Sequence, residues 1–230
     1  MLDSAYYDLI AIVCILVGWA GYALYAERSG AAQGNLISGM ASQRRAWMRR
    51  MLQRDNRMVD IQIVNALMRS GRFFASTAIL IVAGLLAVLG STERVIALAM
   101  DLPFLQDVSR AMWEAKLLFM IFIFIYAFFK FVWSNRQYNY CAIMIGAAPP
   151  ATELTVDCDG VGDDIAALAT LAAKHANWGI RAYYFGLAVL GWFLHPLLMV
   201  AAGILVLLVL YRREFHSRTM HLTRPRIDMP

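Results

Sequence analysis

The run Arg44-Arg45-Ala-Trp-Met-Arg-Arg-Met-Leu-Gln-Arg-Asp-Asn-Arg-Met-Val-Asp60 carries six arginines and no lysine. A guanidinium is a planar fork of donors that matches carboxylate and phosphate geometry. Such a run can therefore bind anions: lipid phosphates, an acidic partner or nucleic acid. Nucleic acid fits worst, because Trp47 is the only nearby aromatic for stacking and no DNA-reading motif is present. At about 100° per residue, Arg54, Met58, Gln62, Asn65, Arg69 and Arg72 share one narrow helical face. Met51, Val59, Ile63, Ala66 and Leu67 fall on another side. Segment 44–72 thus has the pattern of an amphipathic helix. It could lie on a membrane surface with its arginines on headgroup phosphates, or pack Gln62, Asn65 and Arg69 against protein.

Other chemistry-bearing residues are sparse. Asp157-Cys-Asp-Gly-Val-Gly-Asp-Asp164 has the acidity of a calcium loop but lacks the alternating ligands and the closing glutamate. Asp163 or Asp164 reads instead as the cap of a helix beginning near Ile165. Cys14, Cys141 and Cys158 form no CxxC pair, which argues against a disulfide framework or a zinc site. His175, His195, His216 and His221 are scattered. An imidazole at His195 could relay protons, but a turn residue before Pro196 is the simpler reading. There is no HExxH, nucleophile elbow or glycine-rich phosphate loop. No catalytic residue, metal or cofactor is expected.

The elements that carry these residues are apolar. Of 230 residues, 60% are hydrophobic, where a soluble domain has about 45–50%. Spans are expected at about 9–25, 73–90, 117–133 and 182–211. Ser91–Trp113 reads as a mixed connector and Ser134–Asp164 as loop or short elements, with a weakly apolar helix at Ile165–Ala176. The acidic start, with Asp3 and Asp8, does not resemble a secretory signal. The region 182–211 is too long for one comfortable span and short for two, and Pro196 interrupts it. The fold class is therefore all-α and polytopic, with four spans, or five if a hairpin breaks near Pro196. The positive-inside rule puts the arginine-rich loop and the tail Tyr211-Arg-Arg-Glu-Phe-His-Ser-Arg on the cytoplasmic side. The N-terminus then lies outside. An odd number of crossings follows, which favours the hairpin over one kinked span.

Three stretches together resemble a known family. They are Asn65-Ala-Leu-Met-Arg-Ser-Gly-Arg-Phe-Phe-Ala-Ser76; Phe128-Phe-Lys-Phe-Val-Trp-Ser-Asn-Arg-Gln-Tyr-Asn139 with Ile145, Gly146 and Pro149; and Gly179-Ile-Arg-Ala-Tyr-Tyr-Phe185 with Leu210-Tyr-Arg-Arg-Glu-Phe215. The chain is similar, roughly from Trp47 to Ser217, to the membrane family catalogued as domain of unknown function 599. That family occurs in bacteria and plants. The resemblance implies a polytopic helical protein, here of the bacterial inner membrane, and transfers no catalytic residue.

The polar positions that carry the resemblance would all lie near the cytoplasmic interface. They define one expected binding cluster: Asn65, Arg69, Arg136, Tyr138, Asn139, Arg181 and Tyr184. Its partners would be anionic lipid headgroups, a second copy or a membrane-complex partner. The expected function is non-enzymatic, an assembly or accessory subunit. A small transporter or channel is the alternative and would need polar groups at mid-membrane.

Overall fold

The computed structural model describes residues 2–33, 35–100, 109–153 and 159–223. The regular elements among them are helices. They are α1 (Leu2–Gln33), α2 (Leu36–Leu52), α3 (Met58–Gly90), α4 (Thr92–Met100), α5 (Arg110–Ala147), α6 (Asp159–Val189), α7 (Pro196–Phe215) and α8 (Arg218–Thr223). Within them, Tyr6–Arg28, Met58–Gly90, Arg110–Ala147 and Pro196–Thr223 are long and apolar enough to cross a membrane. The expected spans lie inside longer helices. The stretch from Ser134, expected to be loop, is a continuation of α5 to Ala147. The expected helix at Ile165–Ala176 runs unbroken into the last apolar region as α6.

Contacts set the direction of each helix. Arg57 reaches the carbonyls of Ile145 and Ala148, and Phe74 stacks on Phe131, so α3 and α5 are antiparallel. Lys116 meets Trp192, and Ser134 donates to the Ala172 carbonyl, so α5 and α6 are antiparallel too. The region 182–211 is not one kinked span but reverses through a 3-10 turn at Leu190–Phe193. Gly191 then lies against the Leu198 backbone, and Arg181 pairs with Glu214. His195 makes the reversal local: its Nδ1 accepts from the Leu197 amide at 3.1 Å, and Pro196 opens α7 where its missing N–H is not needed. It is a helix cap, as its place before proline suggested. Helix α7 returns beside α1 in the same direction, with Gly203 against Ile15 and Tyr25 against Tyr211.

Two cores result. The larger joins α1, α3, α5, α6 and α7 around Phe124, Phe131, Phe185 and Trp192. The second lies toward the arginine-rich end and joins Met48, Met51 and Leu52 of α2 to Val64, Cys141, Ile145 and Ile165. Here the expectation for segment 44–72 is corrected. The helix expected from Arg54 to Arg72 begins instead at Met58, and α2, which ends at Leu52, is separate from it. Arg54 therefore lies in the turn. The apolar face of α2 is spent on protein, not on a lipid surface. In α3 the buried stripe runs Asp60, Val64, Met68, Gly71, Ala75, Ala78 and Val82. Both the polar seam through Asn65 and Arg69 and the side bearing Val59 and Ile63 are exposed.

The α5–α6 seam depends on small residues. Between apolar helices in lipid, association comes from close packing more than from water release. Gly179 faces the ring of Phe131 so closely that a Cβ would stand 2.7 Å from it. The ring has little room to retreat, because Phe74 and Tyr183 both pack against it and against each other. Gly179→Ala should therefore destabilise the protein by about 1–3 kcal/mol. Gly84→Ala, which meets nothing within 4 Å, should be near neutral. Thermal unfolding in one detergent compares the two, and equal midpoints would contradict this packing.

Candidate functional site

The charged side chains buried in this apolar bundle gather at its two ends. At the end where α1 begins, Asp8 and Lys116 are 5% and 3% exposed. Trp192 joins them: its indole donates to Asp8 at 2.6 Å, and its carbonyl accepts from Lys116 at 2.9 Å. The Lys116 ammonium also lies 5.2 Å from the Trp192 ring centroid. Lys116 stands at the edge of an apolar run, where an interface position would be expected. The fold instead buries it on the carbonyl that ends the rising arm of the hairpin.

At the arginine-rich end the arrangement is richer. Arg181 on α6 is 3% exposed. It donates to Glu214 of α7 at 2.7 Å, and Tyr22 of α1 donates to the other carboxylate oxygen at 2.8 Å. The guanidinium lies 5.2 Å from the Tyr22 ring centroid. Three helices thus share one buried anion. Next to it, Lys174 and Trp178 of α6 both donate to Glu27 of α1, at 2.9 and 3.0 Å. Arg213 donates to the Tyr184 hydroxyl at 2.6 Å.

A cavity of about 200 Å³ opens beside these pairs, between α2, α6 and α7. Arg44, Lys174, Asn177, Arg181, Tyr184, Arg213 and Glu214 form its polar wall, and Leu36, Ile37, Met40, Ile180 and Leu210 its apolar wall. A second space of about 220 Å³ adjoins it across Ile37 and is lined by Glu27, Asn35, Lys174, Trp178 and Arg181. Arg44 is half-buried, and burial pushes its pKa below the usual guanidinium value. It carries its positive charge with little water around it. The geometry suits an anion and offers no nucleophile paired with a base. Among the described residues there is no cluster of His, Cys, Asp and Glu that could hold a metal ion.

Helix α2 is held over this region by polar contacts. Its N-cap Asn35 accepts from the Ser38 amide at 2.9 Å and donates to the Ala26 carbonyl. Arg45 and Arg49 grip Asp163 of α6 at 3.3 and 2.9 Å. Asp163 is therefore not the expected cap, since α6 starts four residues earlier at Asp159. The calcium-like stretch falls partly outside the described residues. Below α2, Arg57 donates to the Ala148 carbonyl at 2.7 Å and also reaches Pro149, satisfying the last turn of α5. Asp60, wholly buried, accepts from Trp47 and Arg54, both at 2.7 Å.

The seven residues of the expected cluster do not meet in one place. Arg181 and Tyr184 line the cavity. Tyr138 is buried in the second core, within electrostatic reach of Arg44. Arg136 is exposed and turned onto its own Tyr140, with its Nε 2.9 Å from that hydroxyl. Asn65, Arg69 and Asn139 are exposed. Asn135, between two family-like positions, is the unexpected one. It packs on Gly71 and, with its amide turned to suit, spans the Met68 carbonyl and the Arg72 amide. Sequence reading singled out Arg44 only within the arginine run, and it missed Tyr22, Glu27, Lys174, Arg213 and Glu214 as site residues. The one available signal was an acid, Glu214, inside a basic tail; its partners Arg181 and Tyr22 lie 33 and 192 positions away.

The fold and site define an all-α polytopic membrane protein with a cationic cavity at one end. The family described as "Protein of unknown function, DUF599" matches residues 10–219, and the chain belongs to it. No curated protein and no solved structure matches the chain.

Two outcomes follow from these contacts. Arg181→Ala would leave the Glu214 carboxylate buried without its cation, a change that costs about 3–5 kcal/mol. The pair replacement Arg181→Met with Glu214→Leu should recover most of that loss in thermal unfolding. The second outcome concerns pH. The hydrogen bond from Arg49, with Arg45 beside it, holds Asp163 below its ordinary value of 3.8. A depressed carboxylate stabilises the fold at pH above its unfolded value, and that contribution is lost as pH falls through the folded one. Hydrogen exchange in α2, taken relative to the intrinsic rate at each pH, should thus be steady from pH 7 to about 4 and rise below it. Asp163→Asn should raise exchange at pH 7 and flatten the change.

Proposed function

We propose that the protein is a non-enzymatic accessory or assembly subunit of a membrane complex, and that it docks its partner through the arginine-rich end. One observation carries this reading. Met58, Val59, Ile63 and Leu67 of α3 are all exposed apolar side chains. Ile63 lies about 27 residues from the far end of α3, some 40 Å along the helix. A hydrocarbon core is about 30 Å thick. Lipid tails do not cover this strip, and exposed apolar surface outside the bilayer marks a protein contact. Arg69 and Arg72 follow on the same helix at headgroup depth, with Arg136 on α5. They suit anionic headgroups, or acidic residues at the rim of the contact.

The orientation belongs to the proposal. Arginines concentrate at one end, so that end is cytoplasmic and the start of α1 lies outside, in a bacterial inner membrane. The hairpin then makes five crossings. A transporter is the second reading, favoured by the buried charges at both ends of the bundle. Trp19, Phe124, Phe131 and Phe185 fill the space between those ends, with Trp19 stacked on Phe185. That packing weighs for the subunit.

Site-specific crosslinking from position 63 in intact cells tests the proposal. One discrete adduct is expected, lost when Val59→Asp and Leu67→Asp are added beside the crosslinker while the protein still assembles in the membrane. Arg69→Ala and Arg136→Ala should impair function with the protein level unchanged. Free diffusion as a monomer with no adduct, and full function in both arginine variants, would refute it.

A further inference from the structure

We propose that the cavity between α2, α6 and α7 binds a phosphate group, gripped by Arg44 from one side and Arg213 from the other. This goes beyond the partner reading and uses a different surface. Four cations line the cavity, namely Arg44, Lys174, Arg181 and Arg213, against the single carboxylate of Glu214. The pairing within the fold is uneven. Glu214 neutralises Arg181, and Glu27 neutralises Lys174. Arg213 reaches only the Tyr184 hydroxyl, and Arg44 has no carboxylate, hydroxyl or carbonyl partner among the described residues. Two guanidiniums on separate helices therefore face one half-enclosed space with their charge unmatched. Arg44 is half-buried and Arg213 exposed at the rim, so both forks are open to an incoming anion, and phosphate offers each of them two oxygens.

The size and lining narrow the ligand. A volume of about 200 Å³ far exceeds the roughly 30 Å³ share of one water, and it holds a phosphate with a short ester. Asn177, whose amide is uncommitted among the described residues, adds a donor on the α6 wall. Leu36, Ile37 and Met40 of α2 face this wall across the cavity. A cavity lined by both charged and apolar side chains, at the end of a membrane bundle, matches an amphiphile. The phosphate can come from a lipid headgroup or from a soluble phosphomonoester, because the grip is the same for both.

The experiment uses the full chain, stripped of co-purified lipid in detergent. Its unfolding midpoint is followed with inorganic phosphate, with glycerol 3-phosphate, and in nanodiscs of phosphatidylglycerol or phosphatidylcholine. At least one phosphate-bearing addition should raise the midpoint by several degrees. A response to both soluble phosphates assigns a soluble ligand. A response to phosphatidylglycerol alone assigns an anionic lipid. Arg44→Gln with Arg213→Gln should weaken the response at least tenfold in concentration, whereas Arg212→Gln, one residue away and off the cavity wall, should leave it intact. If the double variant does not fold, native mass spectrometry of the wild type decides, by whether a phosphate-bearing mass is retained and is displaced by added phosphate or lipid. No response to any addition, no retained mass, or an undiminished response in the double variant would overturn the proposal. None of these results bears on the Ile63 contact, so each reading can fail alone.

Discussion

A charge placed in an apolar bundle must find its counter-charge within the protein, because lipid offers none. Arg181 and Glu214 meet that demand together, and the demand shapes what surrounds them. The carboxylate takes Arg181 from α6 on one oxygen and Tyr22 from α1 on the other. Three helices are thereby tied at one depth. The far end has its own tie, where Trp192 joins Asp8 of α1 to Lys116 of α5. Between these ties the packing is apolar and depends on glycines that admit aromatic rings, as Gly179 admits Phe131 and Gly186 admits Phe124. The polar ties choose which helices are neighbours; the close contacts set how near they lie.

The helices outrun the bilayer, and that creates the second half of the molecule. Helices α3, α5 and α6 continue past the apolar belt and would expose bare ends to water. Helix α2 covers them with Met48, Met51 and Leu52, while its Arg45 and Arg49 hold Asp163 of α6 and Arg44 lines the cavity. Arg57 supplies donors to the carbonyls that end α5. The arginine-rich stretch is thus largely structural, with Arg45, Arg49, Arg54 and Arg57 each held by a partner within the fold. Its position over α6 and α7 also roofs the cationic cavity, so the cover of the second core and the candidate site are parts of one arrangement.

Much of this was legible from residue order. The apolar runs named the membrane class, and the polar residues in fixed order named the family. His195-Pro196 marked the reversal between α6 and α7. The misreadings have physical causes. Ser134–Asp164 looked like loop because it is polar, yet its helical stretch to Ala147 is protein-packed outside the apolar belt, where polarity does not break helices. The face of α3 through Asn65 and Arg69, a regular polar stripe, is exposed in this chain. The stripe that is buried, with Asp60 and Gly71 in it, contains an acid and a glycine that no hydropathy pattern would select. Asp60 is acceptable there only because Trp47 and Arg54 donate to it.

The sequence by itself determined the class of the protein, because helix length, hydropathy and charge asymmetry are local properties that need no partner to be read. It also marked which end of the bundle is basic. Tertiary structure alone decided which charges are neutralised and which are not. Arg181 and Arg213 are alike in sequence, each beside tyrosines in a family-like stretch, but one faces a carboxylate 33 positions away and the other a tyrosine hydroxyl. That difference depends on distances between helices set by packing, and it leaves Arg44 and Arg213 facing one cavity with charge to spare.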